Sequence, residues 1–384
     1  MVINMADIAL VKCGSYEAET VRSAVKEALD AIGGIEKYVK AGQKVLIKPN
    51  LLAKRKPADC TVTHPAVVEA VVLEVQRVGG IATIADSPGG LYNAGVLKGL
   101  YDGTGMAEVA ARTGAKLNFD TAYEQVQFIQ GRTVKAFDII KPIIDADVII
   151  NVSKLKTHVM SYMTGAVKNM FGSIPGALKA EYHFRMSDKK VFSDMLVDLC
   201  LCTKPTLSVM DAVEGMEGNG PSAGEVRHIG AILAGVNPFA LDIAAAAIIG
   251  MKPNEVFTIV NSIERGLAPS SLDSVEIYGD IKEFVVEGFK KPTARDVHFA
   301  AGTPMKALLD FMVNPKPKVI VAKCTGCGEC ARVCPAKVID MKSGRPDIDL
   351  TKCIRCFCCH ELCPSKAMDL HRPFVFRMFL KYFM

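Results

Sequence analysis

The chain has 384 residues, 50% hydrophobic and 23% charged, with 31 Gly, 19 Pro and no Trp, a globular composition that excludes wholesale disorder. At roughly 100–200 residues per domain this length predicts two or three domains, each large enough to bury a core without covalent staples. A formal charge of +5 implies no bulk attraction to nucleic acid, and no apolar stretch reaches the ~18–20 residues of a bilayer span.

The N-terminal MVINMADIAL lacks the basic start and apolar run of a secretory signal, so a soluble chain in a reducing cytoplasm is expected. From Ile8 to Gly279 short β-branched runs alternate with amphipathic stretches. This pattern predicts an α/β fold, a mostly parallel central sheet flanked by helices with a few antiparallel strands at an edge. Strands are expected at 8–13, 44–50, 81–86, 133–140, 146–152, 206–213, 229–236 and 274–278. Helices are expected at 17–31, 65–78, 103–113, 188–201, 238–249 and 253–264. Glu214–Pro221 reads as a Gly-rich loop after a strand. Phe311–Lys318, with two prolines and two lysines ahead of the run VIVA, reads as a linker. The expected division is an α/β domain over 1–314, in one or two lobes, a small α+β domain over 315–372, and an aromatic and basic tail over 373–384 that covers a domain interface.

Nine of the 13 cysteines fall between Cys324 and Cys363, a clustering that reads as metal binding and not as disulfides. Cys324, Cys327, Cys330 and Cys334 recur 29 residues later as Cys353, Cys356, Cys359 and Cys363, each set ending in Cys-Pro. The run C-x2-C-x2-C-x3-C-P, found twice, resembles the ligand pattern of bacterial two-cluster ferredoxins over about residues 318–371. Zinc also uses C-x2-C pairs, but a tetrahedral site needs no third evenly spaced Cys followed by Cys-Pro. The resemblance implies two [4Fe-4S] clusters with crossed ligation: Cys324, Cys327, Cys330 and Cys363 for one, and Cys353, Cys356, Cys359 and Cys334 for the other. Two such clusters, at about −2 each, would lower the net charge to about +1. Cys358 stands outside the repeat and reads as a packed thiol beside the second set, with a spare thiol or rescue ligand for that cluster as the alternatives.

In the larger part the informative residues sit at expected strand ends: Lys48-Pro49-Asn50, Thr63-His64-Pro65, Asp86-Ser87-Pro88-Gly89 and Asn151–His158. Ligands of open α/β sheets bind outside the carboxyl ends of the strands, so these segments are expected to converge on one crevice. There Lys48, Lys154 and Lys156, with Asn50, suit an anionic group. The segment 164–183 adds Lys168 and Asn169 in a short helix, an irregular Gly/Pro loop, and Lys179, Tyr182 and His183. It is neither a P-loop nor a dinucleotide loop. His158 and His183 are candidate proton donors, because an unperturbed imidazole titrates near 6.5. Asp86 is expected to cap its turn and Asp242 to favour the first turn of its own helix.

The combination KPN, THP, DSPG, NVSKLKTH, TGAVKNMFG and NPFALD resembles the DUF362 family through most of residues 5–280. That family is often fused to a ferredoxin module, and the resemblance implies an iron-sulfur protein of redox type. The 164–183 loop is also similar to a Gly-Lys and Pro-Gly loop with a later His in nickel-pincer lactate racemases. The expected function is an iron-sulfur oxidoreductase that takes electrons from an external protein partner and passes them to an anionic small molecule in the crevice. Lys168, His158 and His183 would act on it. Two alternatives stand beside it: a ferredoxin-like carrier whose larger domain docks a redox enzyme, and a cluster-based sensor or maturation factor without turnover. The sequence leaves open a flavin, which binds without a readable motif, and the oligomeric state.

Overall fold

The computed structural model describes residues 6–293 and 314–371. The larger part contains β1 (Ile8–Lys12), β2 (Lys44–Pro49), β3 (Ile81–Ile84), β4 (Lys116–Leu117), β5 (Tyr123–Gln127), β6 (Ala136–Ile140), β7 (Val148–His158), β8 (Tyr162–Thr164), β9 (Leu207–Glu217), β10 (Glu225–Gly235) and β11 (Ile277–Tyr278). Nine strands form one sheet in the order β11-β1-β10-β9-β7-β2-β3-β4, with β8 added against β7. Strands β9, β7, β2, β3 and β4 run parallel, and β11 runs parallel to β1. Strand β10 is antiparallel to both of its neighbours. It lies inside the sheet and not at an edge because β1 and β11 continue the sheet beyond it, and the short connection from Glu217 to Glu225 makes it antiparallel to β9.

Both faces of the sheet are covered, so its strands read as apolar runs and not as alternating ones. Val45 and Ile47 pack with Val21, Val25, Val67 and Val71 from helices Ala18–Ala31 and Pro65–Arg77. On the opposite face Leu46 and Ile149 meet Phe192, Leu196 and Leu199 of helix Lys189–Thr203. Each such fully buried side chain stabilises the fold by about 1.5–3 kcal/mol.

Two strands extend beyond their expected ends. β7 runs to His158, with all eleven residues buried, and β9 runs to Glu217, so Glu214–Glu217 is strand and not loop. Ser153, Lys154, Lys156 and Thr157 make that stretch polar enough to read as loop, yet each of these side chains is buried in the folded chain. Helices Ala94–Thr104 and Leu178–Arg185 and the β5–β6 hairpin were not expected.

The smaller part pairs β12 (Lys316–Val319) with β15 (Met368–His371) and β13 (Ile339–Lys342) with β14 (Arg345–Ile348). Its helices Glu329–Arg332 and Cys358–Glu361 stand 29 residues apart, the spacing of the cysteine repeat. Of the expected linker only Asn314 onward is described, and the tail at 373–384 lies outside the described residues. This part sits against the segments that follow the carboxyl ends of β2, β3 and β9. The Arg55 guanidinium donates to the carbonyls of Cys363 at 2.5 Å and Pro364 at 2.7 Å, and Lys366 Nζ lies 3.1 Å from Asp59. The Ser222 hydroxyl donates to the Glu361 carbonyl at 2.7 Å. Gly89 approaches so closely that a Cβ there would come within 2.6 Å of the Leu362 side chain.

Hydrogen bonds from charged donors are each worth about 1.5–3 kcal/mol, so Arg55→Ala should loosen the seating of the cysteine-bearing part without unfolding the sheet. Hydrogen exchange should show faster exchange in 358–366 and unchanged exchange in β7.

Candidate functional site

A cavity of about 220 Å³ lies between the two parts. The α/β side contributes Asn50, Lys156, His158, Lys168, Lys179 and His183, and the cysteine-bearing side contributes Cys334, Cys358 and Glu361. The sheet sets these positions. Lys156 and His158 come from the end of β7, and Asn50 follows β2, paired beside it.

Lys168 and Asn169 ride on the four-residue helix Ala166–Asn169, anchored by Asp242. The Asp242 carboxylate accepts from the amides of Ala166 at 2.6 Å and Val167 at 3.2 Å, so it caps this helix and not the first turn of its own. Burial pushes Asp242 up to about 7, although the two amides pull it down. A chain of amides ties the site together. Asn151 donates to the Ala166 carbonyl at 2.9 Å, Asn169 to Asn151 at 2.7 Å, and Asn50 to Asn169 at 3.0 Å. Lys156 completes it by donating to Asn50 Oδ1 at 2.7 Å and to the Thr61 carbonyl at 2.5 Å.

The lysines expected to bind an anion separate into two groups. Lys48 is fully buried and paired with Asp86 at 2.8 Å, and Lys154 is paired with Asp211 at 2.9 Å and donates to the Tyr16 hydroxyl at 2.7 Å. Neither lines the cavity, so both depart from the expected anion-binding role: a buried ammonium with its own carboxylate is already neutralised. Asp86 also accepts from the Leu51 amide at 2.6 Å, so it serves Lys48 and the β2 end and not its own turn. Lys168 does line the cavity, and among the described residues it makes no hydrogen bond or ion pair; its Nζ lies 5.5 Å from the centre of the Phe171 ring. Burial pulls its pKa down.

Lys179, present in the sequence without an assigned role, reaches the cavity but donates to the Ser87 carbonyl and hydroxyl and to the carbonyls of Pro88 and Ile174. Burial pulls both Lys156 and Lys179 down to about 7.

The histidines differ from expectation in charge. His158 Nδ1 accepts from the Met160 amide at 3.0 Å, which leaves the proton on Nε2, 3.5 Å from Glu361 Oε2. His183 stacks on Phe192 at 4.4 Å, and its Nδ1 is buried without a partner. Burial lowers His158 to about 3 and His183 to about 4. Both rings are therefore neutral near pH 7 and offer a polarised N–H, not the proton of an imidazolium. Burial works against ionisation of Glu361, but the adjacent His158 and the Lys168 charge outweigh it and hold the carboxyl well below its usual range. Glu361 and Cys358 gave no sequence signal for this cavity; only the docking of the two parts brings them to it.

The thiols sort into two sets around two small cavities. Cys324, Cys327, Cys330 and Cys363 line one; Cys334, Cys353, Cys356 and Cys359 line the other. This is the crossed pattern of the two-cluster ferredoxins, with the fourth Cys of each run joining the other set. The Ala367 amide donates to Cys363 Sγ at 3.2 Å, the kind of contact that stabilises a cluster ligand. Among the described residues no group of three or more His, Cys, Asp or Glu is placed to hold a single ion. The thiols instead line the two small cavities in fours. Cys358 lies outside both sets and faces the larger cavity, held as a thiol by its hydrogen bond to Cys356 and by burial.

Residues 45–247 match the family described as "Domain of unknown function (DUF362)". The chain belongs to the DUF362 family. Residues 316–364 match a 4Fe-4S dicluster domain, so a DUF362 domain is joined here to an iron-sulfur, ferredoxin-like electron-transfer domain. The chain is 33% identical over 292 residues to the thylakoid-associated protein sll1697 of Synechocystis sp., spanning 74% of this chain and 87% of that protein. The lactate racemase apoprotein of Thermoanaerobacterium thermosaccharolyticum aligns with a TM-score of 0.36 and 12% identity, covering 61% of this chain and 54% of the racemase. At that level the racemase-like loop carries no argument. No helix among the described residues is long and apolar enough to cross a membrane.

Gly172 is the packing constraint beneath this DUF362 site, since an added Cβ would collide with Asp86 Oδ1 and lie 2.6 Å from Lys48 Nζ. Gly172→Ala should break the buried Lys48–Asp86 pair and cost about 3–5 kcal/mol, read as a lowered urea midpoint. Ala at Gly14, where nothing lies within 4 Å and the backbone is not left-handed, should leave the pair and the midpoint undisturbed.

Proposed function

We propose that this DUF362 protein is an iron-sulfur oxidoreductase that reduces or oxidises an anionic small molecule held in the cavity between its two parts. The observation that carries the reading is the shared wall: Cys334, a member of the second thiol set, lines the same cavity as the unpaired Lys168. Two [4Fe-4S] clusters, when bound by the two thiol sets, would supply and accept single electrons.

This chain's own residues do the rest. Lys168 binds the anion. The His158 N–H and the His183 ring orient it, and Lys156, lowered to about 7, holds a proton at the working pH of a general acid. Glu361 limits the negative charge the cavity accepts. The described seating of the two parts shields the bound molecule from water. A cavity of about 220 Å³ lies below the ~300–1,000 Å³ of usual small-molecule sites, which favours a metabolite-sized ligand over a flavin.

Cys327 is exposed, unlike the buried Cys330, Cys334 and Cys363, so a protein redox partner would come nearest there. The thylakoid association of the Synechocystis relative supports such a partner among electron carriers. A carrier with no substrate of its own would need neither a cavity of this size nor an unneutralised ammonium inside it.

Anaerobically reduced protein mixed with a panel of small anions should be reoxidised by the accepted one. Lys168→Ala should lower that rate about 10-fold or more, as loss of a charged hydrogen bond requires, and His183→Ala should lower it with iron content unchanged. Unchanged rates in both variants would remove the site assignment. Because Lys156 and Lys179 lose their charge as pH rises through about 7, anion affinity should be highest near pH 6 and fall above 7. His158 and His183 stay neutral throughout that range.

A further inference from the structure

The cavity has two unlike stretches of wall. At one, Lys168, His183 and Phe171 cluster: Lys168 Nζ is 5.5 Å from the Phe171 ring centre, and the His183 and Phe171 ring centres are 5.7 Å apart. His183 Nδ1 is buried there without a partner, and His158 Nε2 has only Glu361 Oε2 near it, at 3.5 Å, on side chains 3% and 1% exposed. A buried polar atom with no partner is a group that a ligand can satisfy. Along the other the lining is apolar, from Leu52, Pro221, Val333, Pro335 and Leu362, with the exposed Arg332 and Lys337 beside it. These walls are contiguous. The Gly89 amide donates to the Leu52 carbonyl at 2.9 Å, Gly89 abuts Leu362, and Leu362 packs on the cluster of Val333, Cys356 and Cys358.

The charges fix how anionic the ligand is. Asp86 is spent on Lys48, whereas Lys179 is held by four neutral oxygens that leave its charge uncancelled. Arg332 pairs with Glu329, and Lys337 is exposed at the rim. Inside, Lys156, Lys168 and Lys179 face one carboxylate, Glu361; with burial holding Lys156 and Lys179 at about 7, these groups carry about one net positive charge near neutral pH. A dianion would leave a charge uncompensated in a buried site, whereas a monoanion would not.

We propose that the cavity takes a small monocarboxylate with an apolar body. Its carboxylate lies at Lys168, His158 and His183, and its hydrocarbon lies against Leu52, Val333 and Leu362 on the wall nearest the second thiol set. The assignment deepens the function proposed above and rests on the cavity being that protein's substrate site.

The test is equilibrium binding to the anaerobically prepared, iron-loaded, oxidised protein by calorimetry, with acetate, hexanoate, hexan-1-ol and hexyl phosphate as probes. Hexanoate should bind, with about a fourfold gain per methylene over acetate, and at least about tenfold more tightly than the alcohol or the phosphate. Lys168→Ala should erase the preference of hexanoate over hexanol. Leu52→Asn should flatten the gain per methylene and leave acetate binding as it was, with iron content equal to wild type in both variants. Hexyl phosphate binding more tightly than hexanoate, or acetate and hexanoate binding equally, would overturn the assignment. No electron moves in this measurement. Carboxylate binding without reoxidation of the reduced protein by any anion would therefore count against the oxidoreductase reading alone.

Discussion

An ammonium taken out of water must be neutralised or surrounded by acceptors, and the carboxyl edge of this sheet is organised around that requirement. Strands β2 and β7 deliver Lys48, Lys154 and Lys156 to the edge, and the short helix after β8 delivers Lys168. Lys48 and Lys154 meet Asp86 and Asp211 and become part of the framework. Lys156 meets an amide and a carbonyl. Among the described residues Lys168 makes no such contact, and the proposed site is built on it.

The same logic underlies the proposal that the two parts of the chain act together. The cavity is bounded by the DUF362 sheet edge on one side and by the ferredoxin-like domain on the other, and each lacks what the other brings. The sheet edge has cations and neutral imidazoles but no thiol set. The ferredoxin-like domain has the thiols and Glu361 but no anion-binding group facing the cavity apart from the rim cations Arg332 and Lys337. Arg55 holds the two together by bonding the backbone at Cys363 and Pro364, a contact that depends on chain geometry and not on side-chain identity in the cysteine run.

The sequence was legible where a residue's role follows from spacing. The crossed cysteine sets, the parallel sheet and the convergence of Asn50, Lys156, Lys168 and Asn169 all follow from local pattern and from the rule that ligands gather at strand ends. It was not legible where a role depends on a partner far along the chain. Lys48 and Lys168 look alike in sequence, and only the fold shows that Asp86, 38 residues on, pairs with the first, while the second, among the described residues, forms no ion pair and feels Glu361 only across the cavity. The end of β7 read as loop because Ser153, Lys154 and Lys156 are polar, and burial of polar side chains cannot be inferred without their partners. His158 and His183 read as proton donors from the ordinary pKa of imidazole, while burial keeps both neutral. Glu361 belongs to the cavity only because a second domain folds back onto the first.

Direct quantitation of iron and acid-labile sulfide in anaerobically prepared protein, with low-temperature EPR after reduction, probes the foundation of this account. Two filled thiol sets predict about eight iron atoms and eight sulfides per chain and the broadened signal of two interacting [4Fe-4S] centres. Zinc in place of iron, or about four iron atoms with a single isolated signal, would contradict it.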